Sequence, residues 1–294
     1  MLNHYDTFFV LGKRGRFGLA FSALLRDISL EVFEFSSAEL DDALRGLNLK
    51  LKDGARVCII WCLGSGNSAL VSSQNRELHL LRKLYAGLEA EKTPLTNSVL
   101  VYLSTGGKMY GLNAGRVNES SKVSPIAIYG QQKRECERLV EESTPLYFKS
   151  SVICRIANAY SMRESIEEPK GFVESCLWAL QTGRQLNLTA GPLSRKQYGS
   201  HIDYSKVILE SLEIISTKSQ HRIFNIAPNF TYNLYEIINI FQTHFGEKLK
   251  LSELEQHNHV EDTLILESEV EEFYRIKYEW SRIETNLQLL RIKS

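Results

Sequence analysis

Neither sign of charge is in excess in this 294-residue chain: 35 Lys and Arg stand against 35 Asp and Glu. Without a net positive field nothing holds a nucleic-acid backbone or an anionic membrane surface, so both are set aside as partners. No apolar run reaches the length of a bilayer span. The opening MLNHYDTFFVLG has neither the basic start nor the long apolar stretch of a secretory leader, and the expectation is a cytoplasmic protein. Cysteine is scarce. Cys58, Cys62, Cys136, Cys154 and Cys176 are odd in number and scattered through mostly apolar segments. They read as reduced core residues, and no spacing suggests zinc. His257 and His259 with Glu261 and Asp262 come nearest to a metal cluster, but without a further ligand pair this polar stretch reads as a solvated loop. No metal is expected. Internal repeats and low-complexity linkers are absent as well.

What is present is an alternation. Hydrophobic residues make up 43% and charged ones 24%, an ordinary globular balance, and the length allows one large or two modest domains. TFFVLG, LEVFEF, ARVCIIWCLG, NSVLVYLST and SSVICRIAN read as strands. LAFSALLRD, RELHLLRKLYAGLEA and the segment starting near Pro125 read as helices between them. Apolar strands separated by helices imply an α/β fold whose parallel sheet is covered on both faces. Beyond residue 160 the pattern loosens. GFVESCLWALQTG and YNLYEIINIFQTHFG read as helices and HRIFNIA as one more strand, while the charged, mixed tail from Lys248 supports no assignment.

Directly after the first strand runs Gly12-Lys13-Arg14-Gly15-Arg16-Phe17-Gly18, opening into a helix. Glycines at this spacing permit a tight turn and let a pyrophosphate reach backbone N–H groups at the helix N-terminus. A generic strand-to-helix turn is the alternative, but a strand before and a helix after are the context a dinucleotide site requires. Gly12, Arg14, Gly15, Phe17 and Gly18 are therefore candidate cofactor contacts. The expected layout is a Rossmann-type dinucleotide-binding domain from residues 1–158 plus about 222–228. A smaller, interleaved substrate-binding part takes 159–221 and 229–294.

The end of the second strand should meet the adenosine ribose. Glu34 at the tip would favour NAD. Ser36 and Ser37 with a nearby arginine would favour a 2′-phosphate and hence NADP, and Arg14 is placed to be that arginine. The choice stays open, with a lean to NADP.

In SPIAIYGQQKRE, Tyr129 and Lys133 lie one helical turn apart on one face. A Lys ammonium there favours the ionised form of a phenol whose unperturbed pKa is about 10, making an acid/base for near-neutral pH. Taken alone, the pair also fits an ordinary surface helix.

The set of motifs resembles the extended short-chain dehydrogenase/reductases, the NAD(P)-dependent epimerase/dehydratase family. After the glycine turn comes VLVYLSTGGKMYG, similar to the family's SSggxVYG strand end, then Glu119, then Tyr129-x-x-x-Lys133. CRIANAY is similar to RxxNvYG, SHIDYSKVI to IHVDDvaxai, and FNIAPNFTYNLYEII to yNvGxgxxxtvxEl. Together they span roughly residues 7–240 in the family's order. The resemblance implies that Tyr129 is the general acid/base and that Lys133 lowers its pKa and holds the nicotinamide ribose. It implies that Ser104 or Thr105 supplies a hydroxyl to the same substrate oxygen. Asn158 matches an asparagine that touches the substrate diphosphate, although a strand-end turn would also explain it. His201 and Asp203 match positions at the domain junction, or form a structural pair.

Departures accompany the matches. Gly106 stands where the family often has the catalytic Ser or Thr, and with Gly107 it replaces the TDE triplet of 4,6-dehydratases. Gln197 replaces a phosphate-binding Arg, with Arg195 and Lys196 close by, and Arg195 is taken as the substrate-binding candidate. Tyr160-Ser161-Met162 stands in place of YGP. The implied function is an NAD(P)-dependent epimerase acting by hydride transfer at C4, or a neighbouring carbon, of a nucleotide-activated sugar. The alternatives are an NADPH-dependent 4-keto-sugar nucleotide reductase and an inactive cofactor-binding sensor or subunit. The resemblance also implies a homodimer through the helices containing Leu81 and Tyr129.

Overall fold

The structure is a computed structural model and describes residues 4–28, 30–64, 71–93, 96–112, 114–162, 167–188, 191, 193–215, 222–252, 263–268 and 278–290. The stretch holding His257, His259, Glu261 and Asp262 lies outside these. Five strands and their intervening helices alternate through the first half: β1 (Thr7–Leu11), α1 (Arg16–Asp27), β2 (Glu31–Phe35), α2 (Leu40–Lys52), β3 (Val57–Trp61), α3 (Val71–Ala90), β4 (Thr96–Thr105), a short β5 (Gly115–Val117) and α4 (Ile128–Tyr147). The rest follows as β6 (Phe148–Ile156), β7 (Asn158–Tyr160), α5 (Phe172–Thr182), β8 (Tyr198–Ser200), α6 (His201–Ile215), β9 (Arg222–Ile226), α7 (Leu234–Phe245), β10 (Leu264–Leu266) and α8 (Ile283–Gln288).

Six strands form one sheet in the order β2-β1-β3-β4-β6-β9, every pairing parallel. Successive strand residues point to opposite faces. Phe8 and Val10 of β1, Cys58 and Ile60 of β3, and Val101 and Leu103 of β4 therefore join one core with Phe21 of α1 and Tyr204 of α6. Phe9, Ile59, Trp61, Leu100 and Tyr102 join a second core with residues of α2, α3 and α4. Burial on both faces is why these strands are continuous apolar runs. The sheet is the Rossmann-like architecture expected from the alternation. The chain passes from β2 back across β1 to β3, so the carboxyl ends of β1 and β3 bound the crevice where open parallel sheets take ligands.

A third core gathers Tyr160, Val173, Leu177, Ile237, Phe241, Ile283 and Leu287 from α5, α7 and α8. Asn233 and Glu236 cap α7 reciprocally, the Glu236 N–H donating to Asn233 Oδ1 at 2.8 Å and the Asn233 N–H to Glu236 Oε2 at 2.9 Å. Two short parallel pairs complete the structure, β7 with β8 and β5 with β10. β10 comes from the tail that had no assignment by pattern. Three residues are too few to show a period, and they are extended because they pair with β5.

Leu81, Tyr85 and Leu88 of α3 lie in this chain's own second core. The Tyr85 and Thr144 hydroxyls sit 2.9 Å apart where α3 packs on α4. These side chains cover the sheet. No helix of the described residues is long and apolar enough to cross a membrane.

Candidate active site

At the end of β1 the chain turns through Gly12, whose φ is +120°. A Cβ there would lie 2.6 Å from the Cys62 carbonyl oxygen, and one on Gly18 would lie 2.1 Å from the Gly12 oxygen. Both positions exclude any side chain, because β1, β3 and α1 converge on them. Gly15 is the N-cap of α1, no side chain caps it, and no acidic residue lies in the first turn. This uncapped helix start at the sheet's switch point fits a dinucleotide pyrophosphate.

A cavity of about 650 Å³ opens from this turn. Gly15, Arg16 and Phe17 line it from α1, Trp61, Cys62 and Gly64 from the end of β3, and Leu103, Ser104 and Thr105 from the end of β4. Tyr129 and Lys133 of α4, Asn158 of β7 and His201 of α6, all predicted from sequence, line it too, whereas Gly12, Arg14, Gly18, Glu34, Ser36 and Arg195 do not. Among the described lining residues, Arg16, Lys108, Lys133, Lys170 and Lys196 are cations and Glu168 is the carboxylate. That balance suits a polyanionic ligand.

Tyr129 is partly buried at the first turn of α4, and Lys133 below it is buried. Lys133 Nζ donates to Glu77 Oε1 at 2.8 Å and to the Leu103 carbonyl at 2.9 Å, and it lies 4.9 Å from the centre of the Tyr102 ring. Burial opposes the ammonium charge, but the Glu77 carboxylate, with Tyr129 and Cys136 adding to it, more than offsets this and holds Lys133 above the usual lysine range. The Tyr129 phenol is held above its ordinary value, chiefly by burial; Lys133 pulls it down while Glu77 and Cys136 push it up.

Glu77 was not singled out from sequence, yet a signal existed. It shares the i, i+4, i+7, i+11 stripe of α3 with Leu81, Leu84 and Leu88, all buried. A carboxylate on an apolar stripe needs a buried partner. Arg16 was also passed over; it pairs with Glu174, whose carboxylate accepts from the Ser161 and Lys170 N–H groups at 3.0 and 2.7 Å.

Several predicted residues stand elsewhere than expected. Ser104 donates its hydroxyl to Glu137 Oε1 at 2.6 Å, inside the buried Arg155–Glu137 pair. Thr105, next along the strand, is the half-exposed hydroxyl on the cavity wall. Glu34 pairs with Arg26 of α1 instead of reaching for a ribose. Ser36 donates to Glu39 Oε2 at 2.6 Å, and Lys13 pairs with the same Glu39 at 2.8 Å. Arg76 of α3 donates to Ser37 Oγ at 2.8 Å, and Arg14 is exposed. Arg195 is outside the cavity lining, its guanidinium held by Glu236 at 2.9 and 3.0 Å and by Thr231.

Asn158 donates through Nδ2 to the Gln197 carbonyl at 3.0 Å. Gln197 itself bridges Pro228 and Leu266, donating to the Pro228 carbonyl at 2.8 Å and accepting the Leu266 N–H at 2.8 Å. It is a clamp on β10. His201 Nδ1 lies 2.7 Å from the Tyr160 carbonyl, which only accepts, so Nδ1 carries a proton. Asp203 accepts from Ser200 at 2.8 Å and from Tyr278 at 2.6 Å. Glu119 accepts the Asn225 N–H and the Ser268 hydroxyl, each at 2.7 Å. Gly106 faces Leu266: a Cβ there would lie 2.1 Å from Leu266 Cδ1.

Fold and cavity define a Rossmann-like, dinucleotide-binding α/β protein. The chain belongs to the NAD dependent epimerase/dehydratase family, whose model matches residues 78–227. It is 22% identical over 249 residues to a dTDP-4-dehydrorhamnose reductase of Aggregatibacter actinomycetemcomitans, covering 82% of this chain and 80% of that protein. Among solved structures, the UDP-glucose 4-epimerase of Brucella ovis in complex with NAD superposes with a TM-score of 0.78 at 13% identity, over 96% of each chain. The UDP-glucose 4-epimerase of Thermus thermophilus in complex with NAD gives 0.74 at 17% identity, over 96% of this chain and 98% of that one. At these identities the likeness is one of fold.

Proposed function

We propose that the protein is an NAD(P)-dependent enzyme acting by hydride transfer at C4, or a neighbouring carbon, of a nucleotide-activated sugar. The observation that carries the reading is one cavity lined by the glycine turn, Tyr129, Lys133 and Thr105 together. A bound nicotinamide supplies or accepts the hydride. The chain's part is to orient and to move a proton. The uncapped start of α1 receives the pyrophosphate, and Tyr129 Oη exchanges a proton with the reacting oxygen. Thr105 holds that oxygen by a hydrogen bond. Asn158, with the cations Lys108, Lys170 and Lys196, receives the substrate diphosphate. In this reading residues 159–221 and 229–294 form the substrate-binding part, which supplies Lys170 and Lys196.

Epimerisation with retained cofactor is the first form of the reading. Net reduction of a keto sugar by NADPH is the second, and a specific observation favours it. Glu34 is drawn to Arg26, Arg76 donates to Ser37 beyond the end of β2, and Lys13 pairs with Glu39 beside it, so cations stand where a 2′-phosphate would meet them. Purified protein incubated with UDP- and dTDP-sugars, followed by analysis of the released cofactor, separates the two. Retained NAD with a C4 epimer identifies the first form, and exchangeable NADPH with a reduced sugar the second. Absence of turnover and of any thermal shift with every nucleotide sugar sinks both.

A further inference from the structure

Lys133 is held more tightly than a proton-relay partner needs to be. Its side chain is 5% exposed and that of Glu77 7%, with 2.8 Å between Nζ and Oε1. The backbone at Gly64 closes over the pair: a Cβ there would lie 2.7 Å from Lys133 Nζ and 2.8 Å from Glu77 Oε2. Glu77 comes from α3, outside the Tyr-x-x-x-Lys turn, and the cation it is buried against is the lysine on which that turn depends.

The field at Tyr129 follows from the groups around it. Lys133 and Cys136 face it from α4, Glu77 from α3 and Tyr102 from β4, with Cys62 beside the ion pair at the end of β3. Burial pushes the Cys62 and Cys136 thiols and the Tyr102 phenol up, so these three stay neutral at physiological pH. The charges that remain in this set are one ammonium and one carboxylate in contact. A lone ammonium would favour phenolate; in the contact pair the Glu77 carboxylate opposes that pull.

We propose that Glu77 is a positioning residue: by pairing with Lys133 it cancels the positive field at Tyr129, so that the dyad enters the reaction as a proton donor. This rests on the hydride-transfer reading above and selects its reductive direction. In that direction a bound reduced nicotinamide would supply the hydride to the carbonyl carbon of a keto sugar and would itself be oxidised. The carbonyl oxygen would take the Tyr129 Oη proton, so that C=O becomes CH–OH, and the phenolate would regain a proton from water.

The test needs no turnover. Ionisation of Tyr129 in the protein without added cofactor is followed as the phenolate ultraviolet absorbance that the wild type shows and Tyr129→Phe lacks. The wild-type midpoint is expected at or above about 10, the ordinary phenol value, and a midpoint near neutrality overturns the proposal. Glu77→Gln should lower the midpoint by at least about one unit, a tenfold change in ionisation constant, while Glu77→Asp keeps it high. An unchanged midpoint in Glu77→Gln also overturns it. Glu77→Gln combined with Lys133→Met leaves no buried charge unpaired and guards against misfolding of the single variant. Its midpoint should stay within about half a unit of wild type, because the two opposite charges leave together. A large upward shift would mean that Lys133 had been acting uncancelled, and the proposal falls. These titrations stand or fall apart from the hydride-transfer reading, which turnover with nucleotide sugars decides.

Discussion

The Ser104 hydroxyl donates to Glu137 Oε1 at 2.6 Å, and Glu137 in turn accepts from Arg155 at 2.8 and 3.0 Å. Ser104 thereby belongs to a buried ionic network, while Thr105, one residue on, points to the opposite face of β4. The two hydroxyls should separate by experiment. Thr105→Val is expected to lower turnover on the order of 100-fold with little change in melting temperature. Ser104→Ala is expected to cost about 1.5–3 kcal/mol of stability, the range for a hydrogen bond to a charged group, and to leave turnover within a few-fold. Steady-state kinetics and urea unfolding on both variants check it, and the reverse pattern would reassign the hydroxyl.

Tyr129→Phe removes the proton-transfer atom and keeps the ring. Turnover should drop by about 100-fold or more, with cofactor affinity and the unfolding midpoint preserved. Near-wild-type turnover in this variant removes Tyr129 from the mechanism.

Cofactor choice gives the third expectation. Arg14 is exposed in the glycine turn, and Arg76 reaches Ser37 beyond the end of β2. A charge-assisted contact to phosphate contributes about 1.5–3 kcal/mol, hence roughly tenfold to a hundredfold in affinity. Arg14→Ala and Arg76→Ala are each expected to weaken NADPH binding at least tenfold and to leave NADH nearly unchanged. Fluorescence titration with both cofactors measures it; equal losses would show that neither arginine reads the 2′-phosphate.

Gly106 is where the family's hydroxyl often stands, and Leu266 occupies the space its side chain would need. Gly106→Ser should therefore not restore a second catalytic hydroxyl. It is expected to destabilise the fold by about 1–3 kcal/mol through overpacking, and Leu266→Ala in the same chain should recover part of the loss. Thermal unfolding of the single and double variants gives the coupling, and additive losses would mean that the two positions do not touch.

Local chemistry made much of this protein legible in its sequence. Strands such as VCIIW are read from β-branched runs because a sheet buried on both faces needs apolar side chains in succession. The glycine turn is read because Gly12 and Gly18 leave no room for a Cβ, and Tyr129 and Lys133 share a face because one turn of helix puts them there. Contacts between distant elements were decided only by the tertiary structure. Glu77 meets Lys133 across 56 residues of chain because α3 and α4 pack side by side on one face of the sheet. Glu34 turns to Arg26, Arg195 to Glu236, and Ser104 to Glu137, since a charged or polar group near a buried face settles on whichever partner the packing presents. Leu266 reaches Gly106 because a three-residue strand with no period of its own pairs with β5. Periodicity and turn chemistry act over a few residues, whereas which strand face or helix flank a side chain joins depends on long-range pairing, and one residue of register reverses it.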